Sequence, residues 1–352
     1  MRLFNTTFSR SVFILLILAP FLRAAMSKPI TDKTGMIRHT VRLSLSHSAF
    51  WMHEKDPTIA TQTITDEVFA KFVKKHGMMP KEKTLFRVYL PKATKRIKSI
   101  FLISQHGVGI HLAEHPIVRS FADKNQMAII GVAGNPIQRG ICPVSVLDGI
   151  LKDISLKVNH PELATAPALT FGHSNGTGFS ALYAALRPDR VIGWISYHSG
   201  GSWHLAFPRV EKVPGLVMHG PKDRWIENGQ EQTVKDLRSK RNAPVSMTVE
   251  VNAGHSPTDR GATFAYILAF CEACLRTRIP ECATGAPPLK PVNIEAGWLG
   301  GNYDLSKGGM QKLPIAPYGE FSGDKSRANW LPDATFAKFW QTYCQHETIS
   351  PK

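Results

Sequence analysis

Ala168-Leu169-Thr170-Phe171 is an apolar run, Gly172-His173-Ser174-Asn175-Gly176 follows it, and Phe179 to Leu186 has the texture of a helix. Read in order, these are a buried strand, a sharp turn and a helix. The turn has the pattern G-x-S-x-G, in which a serine stands on a strained bend at a strand's carboxyl end and small neighbours let the flanking backbones pass. Gly172 and Gly176 provide that room. The pentapeptide alone recurs by chance, so its weight comes from the strand-turn-helix setting.

A serine hydroxyl is a poor nucleophile until an imidazole takes its proton, and the imidazole needs a carboxylate to fix its tautomer. Where such an elbow works, the acid and then the histidine follow the serine along the chain. Gly215-Leu216-Val217-Met218-His219-Gly220 reads as a buried strand, and Pro221-Lys222-Asp223 places a carboxylate just beyond it. Val245 to Val251 alternates as a strand and runs into Asn252-Ala253-Gly254-His255, with a helix predicted from about Gly261 to Leu275. Asp223 is therefore the candidate acid and His255 the candidate base. An acid one strand earlier is excluded, because Val191 to Tyr197 is followed by His198-Ser199-Gly200-Gly201-Ser202-Trp203, without a carboxylate. Asp189 ends the helix after the serine and reads as solvated loop. His219, inside a strand, and His173, with its side chain expected to turn from the active face, read as core or supporting residues.

Two backbone amides should stabilise the oxyanion, one just after the nucleophile and one on an earlier loop. The first is that of Asn175. For the second, Ser99 to Ile103 is an apolar strand ending in Gln105-His106-Gly107-Val108-Gly109, which offers Gly107 or Val108.

Through Gln105-His106-Gly107, Gly172-His173-Ser174-Asn175-Gly176, Gly220-Pro221-Lys222-Asp223 and Ala253-Gly254-His255, the chain resembles the α/β-hydrolase superfamily over roughly Thr84 to Leu275. Within it, the N-terminal segment and the His-Gly turn are similar to secreted esterases grouped with polyhydroxyalkanoate depolymerases and feruloyl or acetylxylan esterases. That group often has small residues and a further glycine after the serine. Asn175 and Thr177 stand there in this chain, so polymer specificity is not carried over. The resemblance implies a mostly parallel twisted sheet with helices on both faces, and hydrolysis of carboxylic esters with neither metal nor organic cofactor.

At 352 residues the chain is long enough for one large α/β unit, and its middle portion alternates strand and helix regularly. Arg2 and Arg10 precede the apolar run Val12 to Ala19, and small residues follow at Ala24, Ala25 and Ser27. This is a secretory signal pattern, too short and too broken by Pro20 to span a bilayer, with cleavage expected between Ala24 and Lys28. The expected organisation is a signal peptide (1–27), a catalytic unit (28–280) and a C-terminal appendage (281–352). The mature protein is expected to be secreted or periplasmic. There Cys271, Cys274, Cys282 and Cys344 should staple the last long helix to the tail in one of three connectivities, leaving Cys142 as a buried thiol.

The formal charge of +16 favours anionic surfaces, which makes anionic polysaccharide a candidate partner beside a small or polymer-linked ester. The basic residues are scattered and interleave with no aromatic stripe, so nucleic-acid binding is not expected. Trp203 and Trp225 follow two successive strands on the active side and are candidate substrate contacts, whereas Trp298, Trp330 and Trp340 read as packing residues of the appendage. A rival motif is His111-Leu112-Ala113-Glu114-His115, matching the H-x-x-E-H of inverted zinc proteases. It requires an unbroken helix through both histidines, and Pro116 opposes that. A serine peptidase of the same fold and a basic glycan-binding protein without catalysis are the remaining alternatives.

Overall fold

The computed structural model describes residues 30–31, 33–42, 83–92, 94–133, 144–199, 205, 208–225, 229–281, 288–304, 306–307 and 311–344. The signal segment, Trp203, Cys142 and Cys282 lie outside them.

Nine strands form one sheet: β1 (Ile30–Thr31), β2 (Ile37–Arg42), β3 (Lys83–Tyr89), β4 (Ser99–Ser104), β5 (Met127–Ala133), β6 (Ala168–His173), β7 (Val191–Tyr197), β8 (Gly215–His219) and β9 (Val245–Val249). Their order is β1-β2-β3-β5-β4-β6-β7-β8-β9. From β5 to β9 every pairing is parallel, while β1, β2 and β3 join antiparallel at one edge. The central strands are apolar throughout because both faces are covered; β4, β6, β7 and β8 are buried at every position.

The period-two pleat sorts the side chains between two cores. Ile100, Leu102, Ala128 and Ile130 pack on one face with Phe179 and Leu182 of α4 (Thr177–Leu186) and Leu147 and Leu151 of α3 (Val144–Lys157). Phe101, Ile103, Met127 and Ile129 pack on the other with Val118 of α2 (Pro116–Lys124) and with Phe264, Ile267 and Phe270 of α6 (Arg260–Arg278). Since each large apolar side chain contributes roughly 1.5–3 kcal/mol on burial, a one-residue slip of β4 would exchange both sets at once, and the register is fixed by that. Two further helices complete the fold around the site, α1 (Val108–Glu114) and α5 (Gln230–Arg241).

The C-terminal segment forms a separate antiparallel sheet of β10 (Trp298–Gly300), β11 (Ile315–Pro317) and β12 (Asn329–Leu331), ordered β11-β10-β12, followed by α7 (Ala334–Cys344). Phe336 of α7 meets Tyr266 and Phe270 of α6, both at 5.4 Å between ring centroids, and Tyr343 stacks on Tyr266 at 4.1 Å. Trp330 and Trp340 are buried and donate their indole N–H groups to the carbonyls of Ile294 and Met247, which fits packing rather than a sugar cleft. Arg238 of α5 is buried too and donates to the carbonyls of Ala328 and Ala243, tying the appendage to the main sheet.

The expected staple is corrected. Cys271, Cys274 and Cys344 are all buried and all free. Aromatic packing between α6 and α7 does the fastening, and burial pushes the Cys344 thiol up to about 12, which leaves it unreactive.

Candidate active site

Ser174 follows the last residue of β6 with φ +53, the left-handed region that a side chain enters only under strain. What the flanking glycines do is steric. A Cβ on Gly172 would lie 1.9 Å from the Gly176 carbonyl oxygen, and one on Gly176 would lie 2.3 Å from Ser104 Oγ. Backbone of the bend itself thus passes at Gly172, and the Ser104 side chain at the end of β4 passes at Gly176, where no side chain fits. Thr177 locks the turn by donating its hydroxyl to the Ser174 carbonyl at 2.6 Å. Asn175 lies in the first turn leading into α4, where helical N–H groups have no partner within the helix.

The carboxyl ends of β8 and β9 bring the other two residues together across 32 positions of sequence. His255 Nδ1 is 2.8 Å from Asp223 Oδ2, and the two loops are laced by the Lys222 amide donating to the Ala253 carbonyl at 3.0 Å. Asp223 is buried, while the His255 side chain is 35% exposed. Burial works to raise the Asp223 carboxyl, but the His255 hydrogen bond and the Trp225 amide, at 3.1 Å from Oδ1, hold it below its ordinary range. A carboxylate at Nδ1 keeps the proton there and leaves the lone pair on Nε2, the tautomer of a general base. Ser174 Oγ makes no hydrogen bond to His255 within the described residues, a contact that in unliganded sites commonly tightens only when substrate binds.

His173 departs from expectation. Its ring does not turn away: Nδ1 accepts from the Val108 amide at 3.1 Å, and Nε2 lies 2.8 Å from the His255 carbonyl. This fixes a neutral ring with the proton on Nε2, and burial drives its titration down to about 3. The ring bridges the loop after β4 to the loop after β9, directly beside the serine. It also separates the two oxyanion candidates. The Val108 amide is already engaged, whereas the Gly107 amide has no acceptor among the described residues. Gly107 itself has φ +53, and a Cβ there would lie 2.2 Å from His173 Nδ1.

Sequence reasoning missed a buried polar group beside the acid. His198, just beyond β7 and fully buried, places Nδ1 3.6 Å from Asp223 Oδ2 and Nε2 3.2 Å from Glu250 Oε2. Glu250, next after β9, also accepts from the hydroxyls of Tyr197 at 2.6 Å and Thr263 at 2.8 Å. The available signal was a histidine at a strand's carboxyl end and a glutamate inside the apolar run Val249-Glu250-Val251.

Trp225 is 37% exposed two residues past Asp223, and the Arg224 guanidinium lies 4.8 Å from its ring centre. Ile110, 41% exposed, stands one turn beyond Gly107, whose carbonyl accepts its amide. The H-x-x-E-H motif is broken in two. Helix α1 ends at Glu114, His115 is extended with φ −68 and ψ 134, and Pro116 begins α2. Glu114 is paired with Arg87, and His115 Nδ1 accepts from the Ile117 amide. No helix among the described residues is long and apolar enough to cross a membrane.

The sequence matches no family model and no curated protein. Among solved structures, the chain is similar to Est1E from Butyrivibrio proteoclasticus, one structure of which holds ferulic acid. That likeness has 12% identity and a TM-score of 0.39, and covers 55% of this chain and 95% of the other. An S-formylglutathione hydrolase from Agrobacterium tumefaciens is similar at 12% identity and a TM-score of 0.39, over 71% of this chain and 97% of the other. An α/β serine hydrolase without a lid from Xanthomonas campestris is similar at 14% identity and a TM-score of 0.37, over 57% and 92%. At such scores the fold rests on the chain's own strand order and strand-end elbow, which are of the α/β-hydrolase fold class.

Proposed function

We propose that this α/β-hydrolase chain is a secreted serine hydrolase that cleaves carboxylic esters through an acyl-enzyme on Ser174. One observation carries the reading: a serine on a strained strand-end bend shares the carboxyl ends of a parallel sheet with a formed His255–Asp223 pair, where such sheets place their ligands.

His255 Nε2 takes the Ser174 proton as the oxygen adds to the ester carbonyl, and Asp223 stabilises the imidazolium. The oxyanion is held by the amides of Asn175 and Gly107, the assignment favoured by the prior engagement of the Val108 amide. Collapse breaks the carbon–oxygen bond, and the alcohol leaves with the proton from His255. Water then gives a proton to the same nitrogen, attacks the acyl carbon and frees Ser174 and the acid. Trp225 and Ile110, exposed apolar groups close to the acid and to the oxyanion loop, are the surfaces for the substrate's apolar parts. An anionic polysaccharide carrying the ester would suit the charge of +16.

The test is labelling with a fluorophosphonate together with a panel of simple, acetylated, feruloylated and polyester substrates. Ester turnover is expected, with one label per chain, both lost in Ser174→Ala. Labelling with turnover of peptide amides alone would make the protein a peptidase; no labelling and no turnover would leave a binding protein.

A further inference from the structure

Among the described residues two imidazoles lie within 4 Å of the Asp223 carboxylate, and only one of them is the candidate base. The other, His198, is fully buried, with one ring nitrogen 3.6 Å from Asp223 and the other 3.2 Å from Glu250. Neither approach meets hydrogen-bond geometry, and neither nitrogen has another hydrogen-bond partner among the described residues. The ring is nonetheless aimed. His198 takes φ +44, a strained value for histidine, and stacks on its own neighbour Tyr197 at 4.1 Å.

We propose that His198 is held as an imidazolium between Asp223 and Glu250 and is a positioning residue of the active site, cancelling one of two buried negative charges that otherwise bear on His255. The proposal rests on the reading of Asp223 and His255 as acid and base.

Two carboxylates facing the two nitrogens of one ring are both served only when both nitrogens carry protons. Glu250 is 3% exposed, and its hydroxyl partners, Tyr197 and Thr263, solvate a charge without neutralising it. Burying a carboxylate costs free energy that a cation beside it offsets. Among the described residues, the charged and titratable groups around His198 and its carboxylates are Asp223 and His219 from β8 and its loop, Glu250 after β9, Tyr197 of β7, His173 of β6, His255, and Tyr343 of α7 against Glu250. His173 and His219 are driven down to about 3 by burial and stay neutral. Burial works to raise the Glu250 carboxyl, yet contact with His198, Tyr197 and Thr263 keeps it low. The group then carries two negative charges and one positive, and His255, 6.5 Å from His198, feels their sum.

The experiment compares wild type, His198→Gln, Glu250→Gln and the double variant, each checked for folding by circular dichroism. Ring nitrogen spectra of ¹⁵N-histidine-labelled protein should show His198 as imidazolium at pH 7 in wild type and as a neutral ring in Glu250→Gln. In His198→Gln the acidic limb of kcat/KM should move up by about one to two pH units, the size expected for a unit charge at that separation with partial screening. It should return to near the wild-type position in the double variant, where net charge is restored. A neutral His198 in wild type, an unmoved limb, or a double variant displaced as far as the single would overturn the proposal. If Ser174 takes no fluorophosphonate, the catalytic reading fails while the nitrogen spectra still decide the charge of His198. Should His198→Gln not fold, the wild-type spectrum, assigned through the backbone, decides it.

Discussion

The bend at Ser174 and the pocket around Asp223 are built by different physics. The bend is assembled within five consecutive residues, and its geometry is dictated by contact: a methyl group at Gly172 would meet backbone at 1.9 Å whatever the pH or salt. The pocket gathers Asp223, His198, Glu250 and His255 from loops after three strands, and its state depends on which groups carry charge. One half of the site is steric and local, the other electrostatic and assembled through space. Damage to the first should be independent of pH, and damage to the second should be written in pH dependence.

The sharpest attack on the electrostatic half is Asp223→Asn, which keeps the shape and favours the wrong imidazole tautomer. Turnover should fall by about a thousandfold or more, measured as kcat on the best ester of the panel, with little change in Tm. A loss under tenfold would mean that His255 does not depend on this carboxylate. On the steric side, Gly172→Ala should lower stability by about 3 kcal/mol or more, because the obstacle is backbone and cannot rotate aside. Urea unfolding at pH 7 and pH 9 should give the same loss; a loss that varied with pH would blur the distinction between the two halves.

A further effect separates them under acid. His173 and His219 titrate near 3 when folded but near 6.5 when unfolded. Between those values the unfolded chain binds protons that the folded chain refuses, so stability falls as pH drops below about 6.5. The slope approaches about 1.4 kcal/mol per pH unit for each histidine. Asp223 and Glu250, both held low, extend the loss below the ordinary carboxylate range. Calorimetry from pH 7 to pH 5 should show a declining Tm, and a flat profile would mean these rings are hydrated or charged in the fold. The smallest effect lies far from the site. Cys344→Ser should cost about 1 kcal/mol in urea unfolding, as a buried thiol would, and a loss of 2–5 kcal/mol would reveal a disulfide.

By itself the sequence determined the strand-helix alternation, the elbow, and the order in which serine, acid and base appear, because each is encoded in a short run where residue size and period-two apolarity act on adjacent backbone. The loops carrying Asp223 and His255 were legible for the same reason: strand runs announce where their carboxyl ends fall. Only the tertiary structure decided how those ends are filled. It turned His173 into a bridge between two loops, engaged the Val108 amide, left three cysteines as thiols, and set His198 between two carboxylates that stand 25 and 52 positions beyond it. Hydrogen bonds and charges act over a few ångströms of space regardless of chain separation, and no local pattern records which distant groups the fold will bring within that range.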